Sequence, residues 1–252
     1  MDSNTKIGKN IIIAEKIVKV FGHIKALKGI DLTVQRGEFL TILGPNGAGK
    51  TTLIKILTSL LKPTSGRLLI SGIEPRRGNT EKLKRIIGVI SHSTFLYDNL
   101  TGLENLKFYA SMYGCGEDRE RMLDLLNEVG LYKRMHDPVR TYSRGMQQRL
   151  SIARGLIHRP EIVFLDEPYT GLDQHAAKML QKILSSIHSD GRTVVMVSHN
   201  LPRALELSET IAIISQGTIV YHSAAKDIKP EEFESLYLET VDSSLMMKRS
   251  EA

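Results

Sequence analysis

The sequence predicts an α/β fold: a mostly parallel central sheet covered by helices, with an N-terminal antiparallel β subdomain and an inserted helical subdomain. Two observations carry this expectation. Short apolar strands alternate with segments of helical periodicity, the pattern of a parallel sheet buried on both faces. Residues 44–51 read Gly-Pro-Asn-Gly-Ala-Gly-Lys-Thr, a complete G-x-x-x-x-G-K-[ST] phosphate loop placed between an apolar run and a helical one, which is the strand–loop–helix setting such a loop requires.

The elements follow in chain order. β-rich stretches at 11–20, 26–34 and 38–43 are punctuated by Gly22 and Gly37 and form the N-terminal subdomain and the first core strand. After the phosphate loop, apolar residues recur at helical spacing over 53–61. A turn at Lys62-Pro-Thr-Ser-Gly66 precedes a strand at 67–71, and Ile86-Ile-Gly-Val-Ile90 reads as a further buried strand. From about 92 to 158 the periodicity is helical, at 103–113, 119–130 and 147–158, with loops rich in Gly, Asp and Pro between. Apolar strands at 162–165, 193–197 and 211–214 then alternate with helices at 176–188 and 202–207. The core and its insertion span 10–225, and 226–252 is a short C-terminal tail whose last 20 or so residues are weakly patterned.

Composition narrows the class. The chain has 252 residues, 41% hydrophobic and 25% charged, as in ordinary globular proteins. No run reaches the roughly 18 apolar residues that span a bilayer, and the first ten residues are polar with no signal-peptide core behind them. The net charge of +6 comes from 34 basic and 28 acidic residues that are interspersed. The basic clusters, Lys82-Leu-Lys84-Arg85 and Lys248-Arg249, are short and read first as solvated faces, with an anionic membrane surface second and nucleic acid after that. Cys115 stands alone, which excludes an intrachain disulfide or a multi-cysteine metal site. All of this fits a cytoplasmic protein.

The loop dictates a chemistry. Gly44, Gly47 and Gly49 let backbone amides turn inward around phosphate oxygens, and the helix end behind them adds about half a positive charge. Lys50 then reaches the β- and γ-phosphates, and the Thr51 hydroxyl holds Mg²⁺. A nucleoside triphosphate is the expected ligand. Ile162-Val-Phe-Leu-Asp166-Glu167 is a buried strand ending in two carboxylates. Asp166 fits a second Mg²⁺ ligand, and Glu167 a carboxylate that polarises the attacking water.

Three further segments stand around that strand: Tyr142-Ser-Arg-Gly-Met-Gln-Gln-Arg149 before it, Pro168-Tyr-Thr-Gly-Leu-Asp173 after it, and then Val194-Val-Met-Val-Ser198-His199. In this order and spacing the chain resembles, from about 11 to 221, the nucleotide-binding subunit of an ATP-binding cassette (ABC) transporter, a P-loop NTPase. The resemblance implies roles. Phe21 stacks on adenine. Gly44, Pro45, Asn46, Gly47, Ala48, Gly49, Lys50, Thr51 and Thr52 hold the triphosphate of ATP, with Thr51 and Asp166 on Mg²⁺. Glu167 is the general base, and His199 the switch residue at the γ-phosphate. Ser143 and Gly145 face the phosphate loop of a second subunit, and Asp173 helps to join the two, so that two ATP molecules are sandwiched in a head-to-tail homodimer or paired subunits.

Two positions depart from the family's pattern. The usual Leu-Ser-Gly-Gly-Gln is here Tyr142-Ser-Arg-Gly-Met146, and Arg144 either adds positive charge near the opposing ATP or points to solvent. Where the family places a glutamine after the strand ending at Ile90, this chain has His92, which reads either as a catalytic group at the water and Mg²⁺ or as a bystander. The implied partner is a transmembrane permease whose coupling helix meets the segment 95–101 and the helix after it. The subunit then sits at the inner face of the cell membrane, reaches the membrane only through the permease, binds no nucleic acid and drives export. A soluble relative acting on DNA or the ribosome is the alternative, and a P-loop kinase or GTPase explains neither the Ser-Arg-Gly segment nor His199. Several segments are similar to ATPases of the cytochrome c maturation (haem exporter) type.

Overall fold

The computed structural model describes residues 9–91 and 93–249, and its chain divides into two compact units: residues up to Leu83 together with those from Thr193 onward, and Lys84–Arg192. Among the described residues no helix is long and apolar enough to cross a membrane.

In the first unit, β1 (Asn10–Phe21), β2 (Ile24–Gln35) and β4 (Ser65–Ile70) form a three-stranded sheet in the order β2-β1-β4. Both pairings are antiparallel, with Phe21 opposite Ile24 at the hairpin end and Ile12 opposite Ile70. This is the N-terminal antiparallel subdomain that the sequence predicts. Core strand β3 (Phe39–Leu43) is buried along its whole length and pairs in parallel with β7 (Thr193–Val197) and β8 (Thr210–Ser215). A strand covered on both faces reads as a continuous apolar run, which is why these three were legible. β9 (Thr218–Ala224) adds antiparallel to β8 and is half-buried, so it lacks that signal.

Helix α1 (Lys50–Leu57) buries Leu53, Ile54, Ile56 and Leu57 and stops at Thr58, one turn short of the periodicity, because Ser59 takes φ +62°. The short α2 (Thr80–Ile86) is absent from the sequence reading: it is mostly charged and buries only Leu83. α7 (Leu201–Leu207) is capped by Asn200, whose side chain accepts from the Arg203 amide at 3.0 Å. The weakly patterned tail is in fact helical, α8 (Phe233–Arg249). Phe233 and Val241 join a cluster with Leu43, Ile211 and Ile213 of the sheet.

The second unit holds α3 (Gly102–Tyr113), α4 (Arg119–Glu128), α5 (Arg144–Leu156) and α6 (Gln174–Ser189), with β5 (Ile87–Ile90) and β6 (Ile162–Asp166) paired in parallel. α3 begins with a complete capping box, Thr101 and Glu104 each bonding the other's backbone amide, as its sequence allows. α5 lies directly on β5 through a glycine contact: a Cβ on Gly88 would stand 2.5 Å from the Gly155 carbonyl oxygen. Beside it, the buried Arg154 donates from Nη2 to the Val89 carbonyl at 2.7 Å, and its guanidinium lies 5.7 Å from the Phe95 ring and 5.2 Å from that of Tyr109. Cation–π contact of this kind offsets the cost of a buried charge.

Candidate functional site

The phosphate loop is built by packing as much as by turn chemistry. β3 delivers the chain into Gly44, and the loop ends at Gly49, the residue before α1, with Gly44, Gly47 and Gly49 at φ +155°, +79° and +107°. Only glycine adopts these conformations without strain. Two of the three also have no room for a side chain. A Cβ on Gly44 would stand 2.1 Å from the Ile214 carbonyl oxygen, and one on Gly49 would stand 2.8 Å from Leu27 Cδ2 and 2.9 Å from the Ala26 carbonyl oxygen. Gly47 meets nothing within 4 Å, so its demand is conformational alone.

Lys50 is 8% exposed, and its ammonium donates to the carbonyls of Gly44 at 2.7 Å and Pro45 at 3.0 Å. The cation therefore lies back across its own loop, at the positive end of α1. Thr51 is exposed in the first turn of that helix, and Thr52 is half-buried beside it. A brace that motif reading does not include comes from the β8–β9 turn. The Gly217 amide donates to the Ala48 carbonyl at 2.9 Å, while the Gly217 carbonyl accepts from Lys28 at 2.8 Å. The signal for it in the sequence is the Gln216-Gly217 pair, both at positive φ between two strands, the mark of a tight hairpin turn.

His199 follows β7, the parallel neighbour of β3, and Ile42 pairs with Val197. The Ser198 amide donates to the Ile42 carbonyl at 3.2 Å, and the Ser198 hydroxyl accepts from the Asn200 amide at 3.1 Å. The exposed imidazole of His199 is thus held at the carboxyl edge of the sheet from which the phosphate loop also leaves, where open α/β sheets bind their ligands. Phe21 ends β1, 48% exposed, with the Lys19 ammonium 5.2 Å from its ring centroid. It is not a core aromatic.

The second unit supplies the remaining candidates. Asp166 closes β6 and is half-buried, as is Glu167 after it. Glu167 takes φ +51°, a left-handed conformation costing a non-glycine residue about 1 kcal/mol or more. Strain at a candidate catalytic carboxylate is the kind that surrounding structure holds for function. Ser143 caps α5, its hydroxyl accepting from the Met146 amide at 3.2 Å. Asp173 caps α6, its carboxylate accepting from the Ala176 amide at 2.8 Å. Gly145 stands open in the first turn of α5, the nearest atom to a Cβ there being Ser143 Oγ at 4.0 Å. Phe21, the phosphate loop and His199 thus belong to one unit, and Ser143, Gly145, Asp166, Glu167 and Asp173 to the other. His92 lies outside the described residues.

Similarity to known proteins agrees with this geometry. The family model described as ABC transporter matches residues 27–170. The linearmycin resistance ATP-binding protein LnrL of Bacillus subtilis is 35% identical over 217 residues, 85% of this chain and 70% of that protein. A fluoroquinolones export ATP-binding protein of Mycobacterium tuberculosis is 40% identical over 204 residues, 81% of this chain and 67% of that protein. Among solved structures, the dimeric post-hydrolysis state of the ATP-binding cassette MJ0796 bound to ADP and Pi matches with a TM-score of 0.78 and 30% identity, over 85% of this chain and 98% of that one. With a phosphate loop of the required geometry, the acidic end of β6 and a capped Ser143 helix all inside the matched span or its structural counterpart, the chain belongs to the ABC transporter family as an ATP-hydrolysing, nucleotide-binding subunit.

Proposed function

We propose that this subunit powers export through a separate transmembrane permease, working head-to-tail with a second copy or a paired subunit on the cytoplasmic face of the membrane. The observation that carries the reading is the phosphate loop, whose backbone is locked open by the contacts of Gly44 and Gly49 and whose lysine already spans the cradle. In this reading residues 10–225 are the ATPase domain, about 92–158 its helical insertion and 226–252 an appended tail.

The roles divide by chemistry. Residues 44–52 wrap the triphosphate with backbone amides, and Lys50 exchanges its loop carbonyls for β- and γ-phosphate oxygens. Phe21 stacks on adenine. A hydroxyl on the first turn of α1 and a carboxylate at a strand end are hard oxygen donors that fit Mg²⁺, so Thr51 and Asp166 would hold the ion, which would neutralise phosphate charge. Glu167 accepts the proton of the attacking water, and in-line attack releases phosphate and leaves ADP. His199 reads the γ-phosphate, His92 stands where relatives use glutamine, and Ser143, Gly145 and Asp173 complete the site of the facing copy.

An exposed aromatic surface supports the permease. Phe95, Tyr97 and Phe108 are 57%, 48% and 40% exposed, with the Tyr97 and Phe108 rings 4.7 Å apart. Buried Asn105 fixes that surface by accepting from the Tyr97 amide at 2.9 Å and donating to the Tyr97 carbonyl at 3.1 Å. Clustered exposed aromatics of this size mark an interaction site. The resistance and export names of LnrL and the fluoroquinolones protein support the direction of transport.

Glu167→Gln tests the core of the reading. It is expected to lower ATP turnover by about a hundredfold or more while the chain accumulates as an ATP-bound dimer. Steady hydrolysis by that variant would remove Glu167 from the base role.

A further inference from the structure

Arg144 occupies a place that its sequence position does not reveal. It is the first residue of α5, directly after the cap Ser143, and its side chain lies over Gly171. A Cβ on that glycine would stand 3.4 Å from Arg144 Nε and 3.8 Å from its Cδ and Cζ. Gly171 has φ +78° and sits in the middle of the loop that runs from Glu167 to Asp173, the cap of α6. Two hydrogen bonds internal to that loop shape it, the Thr170 amide donating to the Glu167 carbonyl at 3.1 Å and the Leu172 amide to the Tyr169 carbonyl at 3.2 Å.

The placement has an electrostatic cost. A cation at the start of a helix opposes its positive end. The Arg144 side chain is exposed, and its guanidinium and the end of its stem run beside the bare Cα of Gly171, a peptide that carries no side chain of its own. The contact is intramolecular and joins the two segments whose ends are capped by Ser143 and Asp173.

We propose that Arg144 is a positioning residue that fastens the Glu167–Asp173 loop to the start of α5, so that Ser143, Gly145 and Asp173 meet a second copy as one preformed surface. This rests on the head-to-tail reading above. In relatives with glycine at this position that contact has no side chain to make it.

The experiment uses the full chain in the Glu167→Gln background, alone and with Arg144→Gly or Arg144→Lys. If Glu167→Gln alone forms no ATP-dependent dimer in sedimentation, the head-to-tail reading fails and Arg144 is not at issue. If it dimerises, Arg144→Gly is expected to weaken dimerisation about fivefold, with the ATP affinity of the free chain unchanged by calorimetry. In the same free chain, amide exchange over 168–173 is expected to quicken by about the same factor. Arg144→Lys, which keeps the charge and most of the stem but not the planar group, restores only part of either effect. Unchanged exchange and dimerisation in Arg144→Gly would overturn the proposal, and so would full rescue by lysine, which would leave charge as the cause.

Discussion

Gly44 and Gly145 both belong to segments proposed to face phosphate, yet the structure uses them in opposite ways. Gly44 is forced: its backbone is left-handed and the Ile214 carbonyl occupies the space where a Cβ would be. Gly145 is free: it sits in an ordinary helical turn with nothing closer than 4.0 Å to a Cβ. The phosphate loop is shaped by the packing of its own unit. The other segment is an exposed helix start whose glycine has no internal reason to be one. In the proposed head-to-tail arrangement, that openness is what a surface closing on a second copy requires.

The sharpest way to break that contrast is Gly44→Ala. A Cβ at 2.1 Å from a backbone oxygen cannot be relieved by a side-chain rotation, so β8 or the loop itself must move. The expected loss is about 3 kcal/mol, at the upper end for overpacking, read as a lower denaturant midpoint with nucleotide binding lost alongside. A variant with unchanged midpoint would mean that the loop is softer than its contacts imply.

The second unit has its own forced region, just beyond the far end of the helix that carries Gly145 in its first turn. His158 follows α5, stacks on Tyr113 at 3.9 Å between ring centroids, and donates from Nε2 to the Ile87 carbonyl at 2.9 Å. Its Nδ1 is buried without a partner. Burial holds the imidazole's pKa down at about 4, against the Ile87 bond that raises it. The unfolded chain takes up this proton near the ordinary value of about 6.5, so between roughly pH 6.5 and 4 the unfolded state binds more protons than the folded one. Stability attributable to His158 is therefore complete above that window and falls as pH falls through it. The expected loss is about 1–3 kcal/mol between pH 7 and 4. His158→Asn should flatten the pH dependence of the unfolding free energy over that range, whatever it does to the value at pH 7. An unaltered slope would show that the imidazole titrates normally.

How much of this was legible in the sequence follows the same division between local and tertiary causes. The phosphate loop is a local motif, and its residues, register and flanking strand and helix could be read directly. β3, β7 and β8 announced themselves as apolar runs because both faces are covered. β9 and α8 did not: β9 is half-buried, and α8 rests on the sheet mainly through Phe233 and Val241, too sparse a pattern to set a period. The cap roles of Ser143 and Asp173 follow from residue type and position. The bracing of Ala48 by Gly217, the exposure of Phe21 and the place of Arg144 over Gly171 do not, since each depends on which distant segment arrives alongside.

The smallest effect tests the comparison most directly. Gly145→Ala places a methyl group in open space on a helix whose backbone already suits alanine, so the free chain should gain about 0.5–1 kcal/mol. In the Glu167→Gln background the same methyl group should oppose ATP-dependent dimerisation, because in the proposed arrangement it stands on the face that meets the other copy's nucleotide. A stabilised monomer that no longer pairs would separate folding from assembly at one residue, which Gly44→Ala cannot do, since there the two losses coincide. Should the variant pair as well as its parent, the openness around Gly145 would carry no message about a facing subunit. The two glycines would then differ only in how tightly their own domain packs around them.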